Sequence, residues 1–276
     1  MSDTGKIALA ALKDSFSFDE EGVVTPGAPA PIVECLKDPR SPAGEELRLL
    51  RANLSAIRQK RPKKNPLNCI AMVSALPGEG KSTISLGLAA AMAREPGRRV
   101  LLIEGDLRRP AISIDLKLAP HPGLAEWLNG TIDRVPIRLV EPGGFHFLSA
   151  GTAPLERPEE VGSLRMDAVL GAARDVFDIV LLDATPILPV ADVVLLQDLV
   201  DGLILVVRSR MTPRAAIHDA VGRIRADKIV GVVLNDQREY RRSYMAYAYH
   251  GYGMEAGAEG RSAGSSAKGS GTRGRY

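Results

Sequence analysis

The residues with the clearest chemical potential form one short run at positions 74–83, SALPGEGKST. This run fits the phosphate-binding pattern GxxxxGK[ST] except for Ala75 in the first glycine position, and it joins a strand-like segment to a helical one. Glycines let backbone amides surround phosphate oxygens, a lysine reaches the β and γ phosphates, and a hydroxyl can bind magnesium. The run predicts a nucleotide site, with a simple glycine-rich turn as the alternative. The residues of the predicted site are Gly78, Glu79, Gly80, Lys81, Ser82 and Thr83.

Carboxylates follow two other strand-like segments of the chain. Glu104 and Asp106 occupy alternate positions at the end of one segment, and Asp183 closes another. A nucleotide site needs acids at the carboxyl ends of neighbouring strands, because magnesium and the attacking group lie there. We expect these side chains to meet the phosphate-binding run. The alternatives are a surface loop for Glu104 and Asp106, and a helix or turn cap for Asp183.

Five tyrosines lie close together after the last apolar segment, within thirteen residues. They are Tyr240, Tyr244, Tyr247, Tyr249 and Tyr252, which together form the tyrosine cluster. A tyrosine hydroxyl supplied to a nucleotide site is a candidate phosphoryl acceptor. The alternative is an aromatic, glycine-rich segment of low complexity that is merely sticky.

The elements that must position these residues alternate between short strands and helices. Near-continuous Val, Ile and Leu runs indicate strands buried on both faces. Strands are predicted at 69–74, 99–104, 145–149, 179–183, 203–207 and 229–234. Helices are predicted from residue 42 over about four turns and near 82–94, 123–129, 165–176, 191–199 and 213–225. The pattern predicts an α/β fold with a doubly wound, mostly parallel sheet of the P-loop NTPase type.

Shifts in composition divide the chain into four parts. Residues 1–40 are rich in proline and cannot form a core alone, which predicts a flexible arm. Residues 41–66 open with a Ser-Pro helix-start signal and end in a basic linker, which is either solvated or meets an anionic membrane surface or acidic partner. Residues 67–236 form the P-loop domain. Residues 237–276, tyrosine-rich and then glycine- and serine-rich, are expected to be disordered.

The composition excludes several classes of protein. Hydrophobic residues are 45% and charged residues 25% of the 276 residues, and mean hydropathy is -0.02, which excludes collagen-like, wholly disordered and membrane-embedded chains. No apolar stretch reaches the roughly 18 residues that span a bilayer, and the start of the sequence lacks a secretory pattern. Two cysteines fit a reducing compartment. We therefore expect a cytoplasmic protein. The net charge of +3 does not indicate a nucleic-acid partner.

Five motifs occur in the order that one protein family has. They are EELRLLR at 45–51, PGEGKS at 77–82, EGDLRRP at 104–110, DATPILPVAD at 183–192 and VLND at 233–236, and the tyrosine cluster follows them. On these motifs the chain resembles the bacterial tyrosine kinases of capsule and exopolysaccharide systems, the cytoplasmic kinase component of polysaccharide co-polymerases. The resemblance implies the fold of deviant-Walker, partitioning-ATPase-like P-loop NTPases. It also implies ATP and Mg²⁺ as cofactors.

The resemblance assigns a role in phosphoryl transfer to each matching residue. Lys81 would neutralise the β and γ oxygens of ATP. Ser82, Asp183 and Asp106 would hold magnesium, directly or through water. Asp106 or Glu104 would orient or deprotonate the incoming tyrosine hydroxyl.

Further residues would serve nucleotide contact, acceptance of the phosphoryl group and assembly. Thr83 would contact the α phosphate, and Asn235 would contact adenine, with a loop cap as the equal alternative for Asn235. The tyrosine cluster would be phosphorylated by a neighbouring copy of the chain. The resemblance places the subunit contacts of a homo-oligomer at Glu45, Arg48 and Arg51, with a solvated helix face as the alternative.

The resemblance also implies partners besides a second copy of the chain. We expect a free-standing kinase that is activated by a separate membrane-anchored co-polymerase protein and recruited by it to the inner face of the plasma membrane. A tyrosine phosphatase would reverse the modification. No nucleic-acid partner is expected.

Two other functions stay open from the sequence. Glu104 stands where the family has Asp, and its extra methylene moves the carboxylate by about 1 Å, a displacement that can slow catalysis about a hundredfold. A nucleotide-binding regulatory scaffold with weak or no kinase activity is therefore the second hypothesis. A partitioning-type ATPase is the third, although that family carries a signature lysine where this chain has Leu76 and lacks a tyrosine-rich tail.

Overall fold

The computed structural model describes residues 16–24, 38, 40–118, 122–153 and 164–237. Contacts divide the chain into two units, Met1–Asp236 and Gln237–Tyr276. All helices and strands given below belong to the first unit. The tyrosine cluster, and all of the predicted disordered tail except Gln237, lie outside the described residues.

The described residues form alternating strands and helices. The strands are β1 (Phe16–Val24), β2 (Cys69–Ser74), β3 (Val100–Glu104), β4 (Val135–Glu141), β5 (Phe145–Leu148), β6 (Ile179–Pro186), β7 (Gly202–Arg208) and β8 (Ile229–Asn235). The helices are α1 (Pro42–Lys60), α2 (Lys81–Ala93), α3 (Ile112–Asp115), α4 (Leu124–Leu128), α5 (Leu164–Val176), α6 (Asp192–Leu196) and α7 (Arg214–Arg223).

The strands pair into one sheet in the order β1-β4-β5-β3-β6-β2-β7-β8. Neighbouring strands run parallel except β4 and β5, which are antiparallel. The predicted α/β fold with a mostly parallel sheet is confirmed, and the six predicted strands and six predicted helices are all present to within a few residues. Strand β2 lies inside the sheet, so the phosphate-binding run leaves the sheet between the ends of β6 and β7.

Three elements were not predicted from the sequence. β1 forms within the part expected to be a flexible arm, so that expectation is wrong for residues 16–24. Phe16 is buried there, and its ring meets that of Phe177 edge-on at 6.4 Å, a contact that local composition does not reveal. In β4, proline and arginine interrupt the apolar run, and mainly alternate residues are buried. The short helix α3 has fewer residues than a periodic pattern needs.

The sheet is covered on both faces, as its apolar strands require. In β2, Cys69, Ala71 and Val73 belong to one apolar cluster, while Ile70 and Met72 belong to another. The first cluster includes apolar residues of α5, α6 and α7, and the second includes those of α1, α2 and α3. Successive strand side chains point to opposite faces, so a strand buried on both sides has no polar alternation.

Helix α1 begins where its sequence predicts and packs on α2. The Ser41 hydroxyl accepts a hydrogen bond from the Gly44 N–H at 3.2 Å, with Pro42 at the first helical position. Leu54 is buried, and Leu47 lies so close to Gly87 of α2 that a side chain at residue 87 would overlap it.

Within the described part of the chain, no helix is long and apolar enough to cross a membrane.

Candidate nucleotide and phosphoryl-transfer site

The phosphate-binding run forms a tight turn between β2 and α2. Gly78 and Gly80 have φ values of 80° and 91°, in the left-handed region that favours glycine. A side chain at Gly80 would also overlap the Asn235 amide. Helix α2 begins at Lys81, so the free N–H groups and positive dipole end of its first turn lie at this turn. The backbone is therefore shaped to bind an anionic phosphate.

Lys81 and Asp106 form a shielded ion pair beside this turn. Lys81 Nζ lies 3.2 Å from Asp106 Oδ2, and both side chains are nearly buried. Asp106 Oδ1 accepts a hydrogen bond from the Arg109 N–H at 3.1 Å, which fixes the carboxylate after the end of β3. The structure thus brings Asp106, one of the three predicted acids, into contact with the phosphate-binding run.

Asp183 is buried in β6 and is incompletely hydrogen-bonded. Its Oδ1 accepts a hydrogen bond from Ser85 Oγ at 3.0 Å, whereas its Oδ2 has no hydrogen-bond partner among the described residues. Burial raises the pKa of Asp183 to about 6; the Lys81 charge and the Ser82 and Ser85 hydroxyls oppose this rise, and the Glu104 charge adds to it. A buried carboxylate oxygen without a donor is unfavourable until a cation or donor reaches it.

Glu104 is also buried, but its carboxylate is fully occupied by the protein. Oε1 accepts hydrogen bonds from the N–H groups of Ile112 at 2.7 Å and Ser113 at 3.1 Å. Oε2 accepts from the Ala150 N–H at 3.2 Å and from the Ser113 hydroxyl. The carboxylate therefore joins the start of α3 to the segment after β5. No described contact connects it to Lys81.

The remaining predicted nucleotide residues lie around the turn in different environments. Glu79 is buried, and its Oε2 accepts a hydrogen bond from the Leu76 N–H at 2.9 Å, so it holds the turn together from inside. Thr83 is exposed in the first turn of α2. Asn235 donates from Nδ2 to the Glu79 carbonyl oxygen at 3.0 Å, which is the loop-capping contact given above as an alternative. Its contact with adenine stays a prediction.

Three residues near the turn were missed from the sequence. Ser85 lies four residues after Lys81, on the same helical face, and this spacing was a usable signal because it directs a hydroxyl toward Asp183. Arg208 and Thr212, at and after the end of β7, contact Gly78 and Glu79 respectively. No local motif marks these two residues, because their partners are more than a hundred positions away.

The three predicted subunit-contact residues do not share one environment. Arg48 Nη2 and Glu45 Oε2 form an ion pair at 2.6 Å on the outer side of α1. Arg51 turns toward its own chain, donating to the Ala91 carbonyl oxygen at 3.2 Å with Glu95 at 3.7 Å. The Arg51 side chain is favoured there because the carbonyl groups at the end of α2 carry partial negative charge. The role of these residues in assembly stays a prediction.

The donor set at the turn fits magnesium bound together with a nucleotide. Within the described ranges, no three His, Cys, Asp or Glu side chains gather as a self-sufficient metal site. Magnesium is usually held by only one or two protein groups, with phosphates and water completing its shell. Asp183 Oδ2, which has no hydrogen-bond partner among the described residues, and the hydroxyl of Ser82, which lowers the pKa of Asp183, provide such a partial set.

Comparison with known families supports this interpretation of the site. Residues 70–248 match the CobQ/CobB/MinD/ParA nucleotide binding domain. This match includes the phosphate-binding turn, both aspartates of the site and the last strand. The chain therefore contains a nucleotide-binding domain of the MinD/ParA kind.

Individual relatives narrow the family further. The tyrosine-protein kinase YwqD of Bacillus subtilis is 30% identical over 224 residues, which are 79% of this chain and 91% of YwqD. The succinoglycan biosynthesis transport protein ExoP of Rhizobium meliloti is 34% identical over 172 residues, 60% of this chain but only 22% of ExoP. The solved kinase domain of Escherichia coli tyrosine kinase ETK has a TM-score of 0.68 and 28% identity, covering 76% of this chain and 81% of that domain.

The match to YwqD spans nearly the whole of that kinase, and the match to the ETK kinase domain covers most of both chains. This chain belongs to the bacterial tyrosine kinase family.

Proposed function

We propose that the chain is an ATP-dependent protein-tyrosine autokinase that phosphorylates the tyrosine cluster at residues 240–252 of a neighbouring copy. The observation that carries this proposal is the meeting of Lys81, Asp106 and Asp183 at the phosphate-binding turn. Such a site provides a cation for phosphates, a carboxylate for a proton and an oxygen for a metal. Family membership then favours a tyrosine hydroxyl as the acceptor.

The Lys81–Asp106 pair provides both the phosphate contact and the acceptor of the proton. When a triphosphate occupies the turn, Lys81 transfers its contact from Asp106 to the β and γ oxygens, which leaves the Asp106 carboxylate available to the phenol. The phenol oxygen bonds to the γ phosphorus as the bond to the β–γ bridging oxygen breaks. ADP leaves, and the phenol proton passes to Asp106 or to water. Because a phenol has a pKa near 10, proton loss needs assistance only late in the reaction.

Magnesium belongs to this proposal as the partner of the nucleotide. Ser82 and Asp183 are the residues that would hold it, and Asp106 would act on it directly or through water. When bound, the ion supplies charge neutralisation at the β and γ phosphates. The shielded position of Asp183 keeps bulk water away from this charge.

The cellular role that we propose is regulation of exopolysaccharide or capsule polymerisation and export. It is supported by the name of ExoP, a succinoglycan biosynthesis transport protein, and by family membership. A membrane-anchored co-polymerase would then recruit the chain to the inner face of the plasma membrane. A homo-oligomer would present each tyrosine cluster to a neighbouring site, and a tyrosine phosphatase would remove the phosphates.

The test is phosphorylation of the full chain by itself. The purified protein is incubated with magnesium and ATP at several protein concentrations, with and without the cytosolic tail of the candidate membrane partner. We expect phosphotyrosine at residues 240–252, mapped by mass spectrometry, with a rate per chain that rises with protein concentration. Lys81→Met removes the phosphate contact, and a variant with all five cluster tyrosines changed to Phe removes the acceptors. Both should lack the signal.

The second candidate function is a nucleotide-binding regulatory scaffold of the same export complex. Glu104 favours it, because the carboxylate in the first acidic position of this motif already accepts hydrogen bonds from Ile112, Ser113 and Ala150. ATP binding without phosphotyrosine under every condition would support the scaffold. ATP hydrolysis stimulated by DNA or lipid, without phosphotyrosine, would support a partitioning-type ATPase.

A further inference from the structure

Residues at and after the ends of β7 and β8 form hydrogen bonds with the phosphate-binding turn. Asn235 donates to the Glu79 carbonyl oxygen at 3.0 Å, and Arg208 Nη1 donates to the Gly78 carbonyl oxygen at 3.3 Å. The Thr212 hydroxyl contacts the Glu79 carboxylate and also accepts a hydrogen bond from the Arg208 N–H at 3.0 Å. Arg208, Thr212, Asn235 and Asp236 together are called the P-loop brace.

Within the brace, Asp236 forms an ion pair with Arg208. Arg208 Nε and Nη2 both lie 3.1 Å from Asp236 Oδ2, so one carboxylate oxygen receives two guanidinium hydrogen bonds. The same guanidinium reaches Gly78 through Nη1. A planar guanidinium directs its N–H groups along fixed lines, so Arg208 cannot follow a shift of Gly78 without disturbing its contact with Asp236.

The backbone at Asp236 is equally specific. Its φ is 58°, in the left-handed region, and its N–H donates to the Asn235 side-chain oxygen at 2.9 Å. The Asn235 carbonyl oxygen accepts from the Ser209 N–H at 2.8 Å, which ties β8 to the end of β7. A non-glycine residue in this conformation is held there by its surroundings. These contacts therefore hold the backbone conformation at Asp236.

Asp236 is also the last residue before the unit that carries the tyrosine cluster. The acceptor segment begins four residues later, at Tyr240. The same guanidinium therefore contacts both the turn expected to bind phosphates and the point from which the acceptor segment departs.

We propose that the P-loop brace couples nucleotide occupancy of the turn to the base of the acceptor segment, with Arg208 and Asp236 as positioning residues. The coupling itself concerns nucleotide binding alone. A role for the coupling in phosphorylation of the tyrosine cluster rests on the proposed function. A bound nucleotide fixes the positions of the Gly78 and Glu79 carbonyl groups and so strengthens the hold on Asn235 and Asp236. By reciprocity, weakening the hold at Asp236 weakens nucleotide binding by the same factor.

Calorimetric binding of magnesium-ADP to the full chain tests the coupling. We expect Arg208→Gln and Asp236→Asn each to weaken binding about fivefold or more, the lower end of typical coupling. The double variant should be no weaker than the worse single variant, because both changes break the same contact. Arg208→Lys keeps the charge but loses the fork of donors, so we expect an intermediate loss. Arg214→Gln, an exposed residue on α7 with the same change of charge, is the matched control and should bind normally.

Hydrogen exchange supplies the readout that a merely structural role would not change. Magnesium-ADP should slow exchange of the Asp236 and Gln237 amides in the unmodified chain and in Arg214→Gln, but not in Arg208→Gln. Unchanged affinity, additive losses in the double variant, or nucleotide-independent exchange at these two amides would each overturn the coupling. If the chain proves not to be a kinase, these measurements still give a result, so failure of the proposed function and failure of the coupling are distinguishable.

Discussion

Glu104 and Asp183 are direct neighbours in the sheet and yet have opposite environments. They are register partners on β3 and β6, and both carboxyl groups are buried. Glu104 receives hydrogen bonds from three backbone N–H groups and one hydroxyl. Asp183 has one oxygen bonded to Ser85 and one without a partner among the described residues. Burial alone therefore does not identify which acid is reactive.

The two carboxylates differ in how completely the described residues hydrogen-bond them. The Glu104 carboxylate accepts hydrogen bonds from peptide N–H groups and so joins the start of α3 to the segment after β5. The structure leaves the charge of Asp183 poorly stabilised, and its pKa rises to about 6. Strained or unsatisfied groups of this kind concentrate where a ligand completes them. We therefore propose that Glu104 holds the start of α3 against the segment after β5, and that Asp183 would hold the metal of the proposed reaction.

The largest predicted effect comes from removing the charge of Asp183. Asp183→Asn should lower the rate of tyrosine phosphorylation by about a hundredfold to a thousandfold, the usual loss when one preorganised electrostatic group is removed. It should also stabilise the nucleotide-free protein at pH 7.5, by about 3 kcal/mol for a pKa raised from 3.8 to about 6. Kinetics and chemical denaturation of the same samples give both values.

The pH dependence of this stabilisation follows from the direction of the pKa shift. The folded state holds the Asp183 proton more tightly than the unfolded state does, so ionisation costs stability as pH rises from about 4 to about 6. The difference between Asp183→Asn and the unmodified protein should therefore be near zero at pH 4 and complete above pH 6. A difference independent of pH would contradict the unfavourable charge at Asp183.

A smaller effect, and of the opposite kind, is expected at Glu104. Glu104→Gln keeps the size of the side chain but places an amide against donors, so we expect a loss of stability of about 2–3 kcal/mol. The rate at saturating ATP should fall much less than in Asp183→Asn. The variant should also lower the pKa of Asp183, because the Glu104 charge helps to raise it. A rate loss as large as that of Asp183→Asn at unchanged stability would instead place Glu104 in the reaction.

The smallest predicted effect sharpens the same comparison at Ser85. Ser85→Ala removes the hydrogen bond to Asp183 Oδ1, so the pKa of Asp183 should rise further, by up to about one unit. Carbon-detected NMR titration of the Asp183 carboxyl measures this shift. Ser55→Ala is the control, because it removes a partly buried hydroxyl that bonds to Glu95 and not to Asp183. This variant should leave the titration of Asp183 unchanged. An Asp183 pKa that stays the same in Ser85→Ala would show that this hydroxyl does not stabilise the charge.

Most of the fold could be predicted because its signals are local. Buried parallel strands read as continuous apolar runs, and the turn at residues 77–82 needs glycines at positions that no other residue occupies without strain. The strands β1 and β4 could not be predicted in this way. β1 depends on distant aromatic partners such as Phe177, and β4 contains a proline and an arginine that interrupt its apolar run.

The amino-acid sequence was sufficient to predict the phosphate-binding turn, six strands of the sheet that carries it and the three candidate acids. The three-dimensional fold was needed to show that Glu104 is fully hydrogen-bonded, whereas Asp183 Oδ2 has no partner among the described residues. The donors that occupy Glu104 include Ser113 and Ala150, and the brace that holds Gly78 comes from Arg208. Hydrogen bonding of a buried group depends on which distant segments the fold packs against it, and that information is absent from the spacing of residues along the chain.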